Sequence, residues 1–117
     1  MTEIELKNRT KQFALRALKL LAALPNTTEG RVLGRQLARS ATSVGANYRA
    51  ACRGRSKAEF IAKLGIVEEE ADESAYWMEL IVEGGLLLKN KVDSLRQEAC
   101  ELTAIIAASR LSASGRR

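Results

Sequence analysis

Apolar positions along the chain recur every three or four residues in separate runs, with charged residues between them, which is the period of amphipathic helices. Over residues 4–24, Phe13, Ala17, Leu20, Leu21 and Leu24 trace one seam, and Lys7, Lys11, Arg16 and Lys19 take the opposite side. Pro25-Asn-Thr-Thr-Glu-Gly30 ends that run, with Thr28 as the candidate cap of the next helix. From about Glu29 to Cys52, Leu33, Leu37, Ser40, Val44, Tyr48 and Ala51 share a face. Gly34 and Gly45 lie inside this helix and predict a close approach of a neighbouring helix. Ser56-Lys-Ala-Glu59 has the form of a capping box. After it Phe60, Leu64, Val67, Ala71, Ser74, Met78 and Ile81 keep alternating four- and three-residue steps, a coiled-coil-like seam. Gly84-Gly85 stops the third helix, and Leu86-Leu-Leu-Lys-Asn90 is a short apolar connection expected to fold over the bundle end.

The fourth helix is predicted over about 91–110, with Val92, Leu95, Ala99, Leu102, Ile106 and Ser109 inward. No segment alternates with strand period. The pattern predicts an all-α protein, an antiparallel up-down-up-down four-helix bundle, as one domain over residues 1–111 with a flexible polar tail over 112–117.

Charge changes this picture by giving the halves opposite signs. Residues 1–57 hold 12 Lys/Arg against 3 Asp/Glu, and residues 58–117 hold 7 against 11. The basic surplus has an address. At roughly 100° per residue, Arg31, Arg35, Arg39, Arg49 and Arg53 fall within an arc of about 80°, opposite the packing face of the second helix. Arg55 and Lys57 continue the stripe beyond the helix end. Arginines spaced along a helix suit phosphates, so Arg31, Arg35, Arg49, Arg53, Arg55 and Lys57 are the candidate nucleic-acid-binding residues. The competing reading is an ordinary solvated face, or one that docks an acidic protein partner.

Polar side chains near the packing face need partners, because an orphaned buried amide costs about 1–3 kcal/mol. Gln36, Arg39, Ser40, Asn47, Glu70 and Glu73 are the expected polar core, with Arg39 pairing to Glu70 or Glu73. The acidic run Glu68-Glu-Glu-Ala-Asp-Glu73 is otherwise read as a solvated face. Cation binding through Glu69 with Glu73, or Glu68 with Asp72, is the alternative. Tyr76 and Trp77 beside the third-helix seam are expected at a subunit interface, with the indole N–H satisfied locally; a base-stacking platform is the other use.

The chain has no histidine, which removes Ser-His and Cys-His nucleophile pairs, His-ligated zinc and the Glu-x-x-His of di-iron bundles. Neither catalytic residue, metal nor cofactor is expected, and the protein is read as non-enzymatic. Two cysteines, Cys52 and Cys100, suit free thiols in a reducing cytoplasm. No apolar run approaches the roughly 20 residues of a membrane span, so no membrane partner is expected.

The run Arg39-Ser-Ala-Thr-Ser-Val-Gly-Ala-Asn47, followed by Ser56-Lys-Ala-Glu-Phe-Ile61 and Glu73-Ser-Ala-Tyr-Trp77, resembles the four helix bundle protein family. These proteins are named for open reading frames in intervening sequences of bacterial 23S ribosomal RNA genes. The resemblance covers nearly the whole chain and implies an antiparallel bundle assembled as a homopentamer. A similar bundle is the accessory protein of diversity-generating retroelements, whose basic pentameric barrel engages nucleic acid and a reverse transcriptase. By that likeness the implied partners are further copies of the chain, nucleic acid (RNA above all) and a protein such as a reverse transcriptase. The family commonly has Glu three residues after the Asn, whereas Ala50 stands there in this chain, which makes the second helix more basic. No catalytic residue is established for the family, and none carries over.

Overall fold

A computed structural model describes residues 1–115. Its four helices are α1 (Glu3–Leu21), α2 (Thr28–Ala51), α3 (Lys57–Glu83) and α4 (Lys89–Ala113), in a body of 44 × 23 × 20 Å. Each helix packs on its sequence neighbour, and α1 closes the ring against α4 with the sparsest contact. The pairings run in opposite directions. Early α1 meets late α2 where Gly45 lies against Thr10, and late α1 meets early α2 where Gly34 lies against Leu21 and Leu24. Early α3 meets late α4 through Glu68 and Arg110, and Arg9 of α1 reaches Glu98 and Glu101 of α4. The fold is an antiparallel four-helix bundle.

The core follows the sequence seams. Leu37, Ser40, Val44, Tyr48 and Ala51 of α2 are buried, as are Leu64, Val67, Ala71, Ser74, Met78 and Ile81 of α3. In α4 the buried set is Val92, Leu95, Ala99, Leu102 and Ile106. On α1 the seam begins earlier than expected, at Leu6 and Thr10, before Phe13 and Ala17. Thr10 is tolerated there because its hydroxyl donates to the Leu6 carbonyl at 2.9 Å, one turn back in its own helix.

Several ends differ from expectation for local reasons. Thr2 caps α1 in a full capping box with Glu5, and α1 stops at Leu21 before three further turn-like residues. Thr27, not Thr28, caps α2, its hydroxyl accepting from the Gly30 amide at 3.1 Å. A Cβ on Gly30 would collide with the Pro25 carbonyl, so the tight entry to α2 needs glycine. Ser56 caps α3 through the Glu59 amide at 3.1 Å. The Glu59 carboxylate, however, overshoots the cap and accepts from the Arg55 amide at 3.2 Å, leaving the box half built.

Gly85 at φ +75° closes α3. The Leu86 amide donates to the Ile81 carbonyl at 2.9 Å and the Gly85 amide to the Val82 carbonyl at 3.0 Å, which forms a Schellman ending. Leu86 and Leu87 then pack on the core while Leu88 is exposed. The expected tail over 112–117 is corrected at its start, since α4 continues through Ser112 to Ala113 and ends before Gly115 at φ +79°. Arg116 and Arg117 lie outside the described residues.

Candidate nucleic-acid interface

The outer face of α2 is set by its inner one. With Leu37, Val44 and Tyr48 held in the core, the helical period leaves Arg31, Arg35, Arg39 and Arg49 exposed on the far side, and Arg53 is exposed in the turn two residues past the helix end. Arg55 in the α2–α3 turn and Lys57 at the first residue of α3 are exposed as well. The arginines are not equivalent. The Arg39 guanidinium forks across to α3, 3.1 Å from Glu70 and 2.6 Å from Glu73. Arg31 donates to the Asn26 amide oxygen at 2.9 Å, a neutral partner. Among the described residues, Arg31, Arg35, Arg49, Arg53, Arg55 and Lys57 form no ion pair with a carboxylate.

The stripe is therefore split. Arg31 and Arg35 stand near the α1–α2 connection, while Arg49, Arg53, Arg55 and Lys57 gather toward the α2–α3 turn. Arg39 lies between them with its charge met by carboxylates. From Arg35 to Arg49 is about 21 Å along the helix.

Lysines from α1 join the second patch. Lys7 and Lys11 line a groove between α1 and α2 together with Arg49 and Arg53. Sequence reasoning missed both lysines as site residues. Their polar periodicity was visible, but which side of α1 abuts the basic flank of α2 depends on how the two helices pack.

The expected polar core is corrected in part. Ser40 is fully buried, and its hydroxyl lies 2.9 Å from that of Ser74, which is itself 2.8 Å from the Glu70 carbonyl. Ser74 completes this pair and was counted only as a seam position. Arg39, with a side chain 49% exposed, and Glu73 sit at the rim of the α2–α3 contact. Glu70 is more sheltered, at 13%. The guanidinium and the Glu73 carboxylate keep much of their hydration at the rim, which lessens the desolvation cost of a core ion pair. Gln36 and Asn47 are half-buried rather than core, and the Asn47 amide donates to the Ser43 carbonyl at 2.9 Å.

The acidic run is largely engaged. Glu68 accepts from Arg110 at 2.9 Å, and Glu70 and Glu73 accept from Arg39. On the α1–α4 side, Arg9 grips Glu98 with two hydrogen bonds of 2.7 and 2.6 Å and reaches Glu101 at 3.0 Å. The Glu98 carboxylate holds the Arg9 guanidinium well above its ordinary value. These cross-links join residues some 90 positions apart and had no local signal.

Tyr76 is exposed, and its ring meets that of Trp77 edge-on at 5.2 Å. The Trp77 ring packs half-buried against the core. Contrary to expectation, its Nε1–H is enclosed without a hydrogen-bond partner among the described residues. Cys52 and Cys100 are both free. Burial pushes the Cys52 thiol up and also raises the neighbouring Tyr48 phenol, so both stay protonated at neutral pH.

The fold and this surface define a class: a helical bundle with a basic outer flank on which, among the described residues, Arg39 alone of the α2 arginines meets carboxylates. The particular family follows from its sequence. A family model for the 23S rRNA-intervening sequence proteins matches residues 2–108, and the chain belongs to that family. It is also similar to a crystal structure from Bacteroides thetaiotaomicron VPI-5482, described as a protein of unknown function from the S23 ribosomal protein family. The two are 32% identical with a TM-score of 0.84, over 90% of this chain and 97% of that one. No curated protein matches the chain.

Proposed function

We propose that this protein is a non-enzymatic nucleic-acid-binding module that works as a homo-oligomer, a pentamer by family likeness, and takes RNA or an RNA–protein complex on the outer face of α2. The observation that carries this reading is the contrast among its arginines. Arg9 and Arg39 are taken up by carboxylates, whereas Arg31, Arg35, Arg49 and Arg53 point to solvent without them. Cations held that way are available to phosphate oxygens, and repetition around a ring multiplies the positive surface. A protein partner such as a reverse transcriptase fits the same likeness.

Self-association is supported by apolar surface that the bundle leaves uncovered, including Leu15, Val32, Ile66 and Tyr76, and by the unpaired indole N–H of Trp77. No described helix is long and apolar enough to cross a membrane. Two free cysteines suit a reducing cytoplasm.

Native mass measurement followed by titration with mixed RNA at several salt concentrations tests the reading. The expected result is a closed five-fold oligomer whose affinity falls log-linearly with salt, by about 0.7–0.9 per phosphate contact. A monomer at tens of micromolar removes the oligomer. Salt-independent binding, or none, removes the nucleic-acid role and leaves a scaffold for a protein partner.

A further inference from the structure

The groove between α1 and α2 has a volume of about 560 Å³ and a division of chemistry that the exposed arginine ridge lacks. Lys7 and Lys11 stand on its α1 side and Arg49 and Arg53 on its α2 side. Lys7 and Lys11 are one helical turn apart, roughly 6 Å along the axis, while Arg53 follows Arg49 just past the end of α2. Because the helices are antiparallel, the two pairs face each other as opposing rims. Between the rims the lining is small, uncharged and mixed, with Ile4, Ala14, Gly45 and Ala46 beside Asn8, Thr10 and Thr42. Gly45 keeps the floor low, since a Cβ there would lie 3.3 Å from the Thr10 hydroxyl. Among the described residues no carboxylate lines the groove. Glu3 meets Lys7 at 3.1 Å from outside, in an exposed pair of the kind that contributes little and yields to a phosphate.

A ligand that fits two cationic rims around an uncharged floor of methyl, hydroxyl and amide groups brings anionic groups and flat, uncharged groups with hydrogen-bonding edges to the same place. Single-stranded nucleic acid does so, with phosphates along the rims and ribose or unstacked bases on the floor. A duplex keeps its bases paired and stacked inside, so it meets the rims alone. We propose that the α1–α2 groove is a seat for single-stranded nucleic acid, with Lys7 and Lys11 completing a site that Arg49 and Arg53 begin. This rests on the nucleic-acid reading above and sharpens it by naming the strand and the place.

The test uses the full chain with an oligouridylate of about ten nucleotides, within the range of single-strand site sizes, and an adenylate–uridylate duplex of equal length. Two variants probe the groove from different sides. Lys7→Gln with Lys11→Gln removes one rim without adding negative charge. Ala46→Glu places a carboxylate on the lining, at an exposed position that leaves the core untouched. The wild type is expected to prefer the single strand. The double variant should lower the log–log salt slope for that strand by about 1.4, two contacts at about 0.7 each. Ala46→Glu should weaken single-strand binding by on the order of tenfold, and both variants should lose the preference over duplex while melting as the wild type does.

Unchanged affinity and slope in both variants, with the wild type still binding RNA, overturns the groove and leaves the basic-face reading standing. A wild type that binds duplex as tightly as single strand overturns the groove as well. A wild type that binds neither overturns the underlying reading first.

Discussion

Ser40 and Ser74 show how little polarity this core carries and how it is satisfied. Their hydroxyls bond each other at 2.9 Å, and the Glu70 carbonyl accepts at 2.8 Å, so two hydroxyls occupy a place that alanine also fits. Ser74→Ala removes the bridge and leaves Ser40 with only a distant Leu37 carbonyl at 3.4 Å, which should cost about 1 kcal/mol. Ser40→Ala with Ser74→Ala should cost less than the two single changes added together, because no orphan remains. Additive losses in a denaturant-melt cycle would show that the pair is not coupled. Of the polar residues flagged from sequence, Ser40 was placed correctly because its register puts it on the axis of the α2 seam. Arg39 was placed too deep, since periodicity gives a residue's direction but not how far a long side chain snorkels toward water.

At the scale of the element, the helices were legible wherever the apolar period was sustained. The α3 seam from Leu64 to Ile81 is buried position for position. Leu64→Asp, at the first fully buried position of this seam, buries an unpaired charge and should abolish the cooperative melt seen by circular dichroism. Near-native melting in that variant would contradict the placement of the seam. Ends were less legible, because they depend on single hydrogen bonds. Thr27 and Thr28 offer the same hydroxyl to α2, and it is Thr27 that accepts from the Gly30 amide. The α1 seam extends back from Phe13 to Thr10 and Leu6 at the same spacing. A threonine that satisfies its own hydroxyl is invisible to a hydrophobic count.

For the whole molecule, the charge imbalance between the two halves resolves into paired and unpaired cations. The links from Arg9 to Glu98 and Glu101, from Arg39 to Glu70 and Glu73, and from Arg110 to Glu68 tie helices together across the sequence. Among the described residues, Arg31, Arg35, Arg49, Arg53 and Arg55 on and just beyond α2 remain without an ion pair, beside Lys11 on the adjoining edge of α1. The arginine stripe was legible from one helix alone. The α1 share of the site was not, because it belongs to a pair of helices.

The measurement that tests the account most directly is a matched pair of charge reversals read by RNA titration at physiological salt. Arg35→Glu with Arg49→Glu alters both patches of the α2 face at exposed positions, changing each chain by four charge units. Lys89→Glu with Lys91→Glu makes the same change at the exposed start of α4. If phosphate contacts on α2 drive binding, the first pair removes it and the second leaves it within a few-fold of the wild type. Equal weakening by both pairs would reduce the effect to net charge, and no weakening by either would contradict the basic face as a nucleic-acid surface.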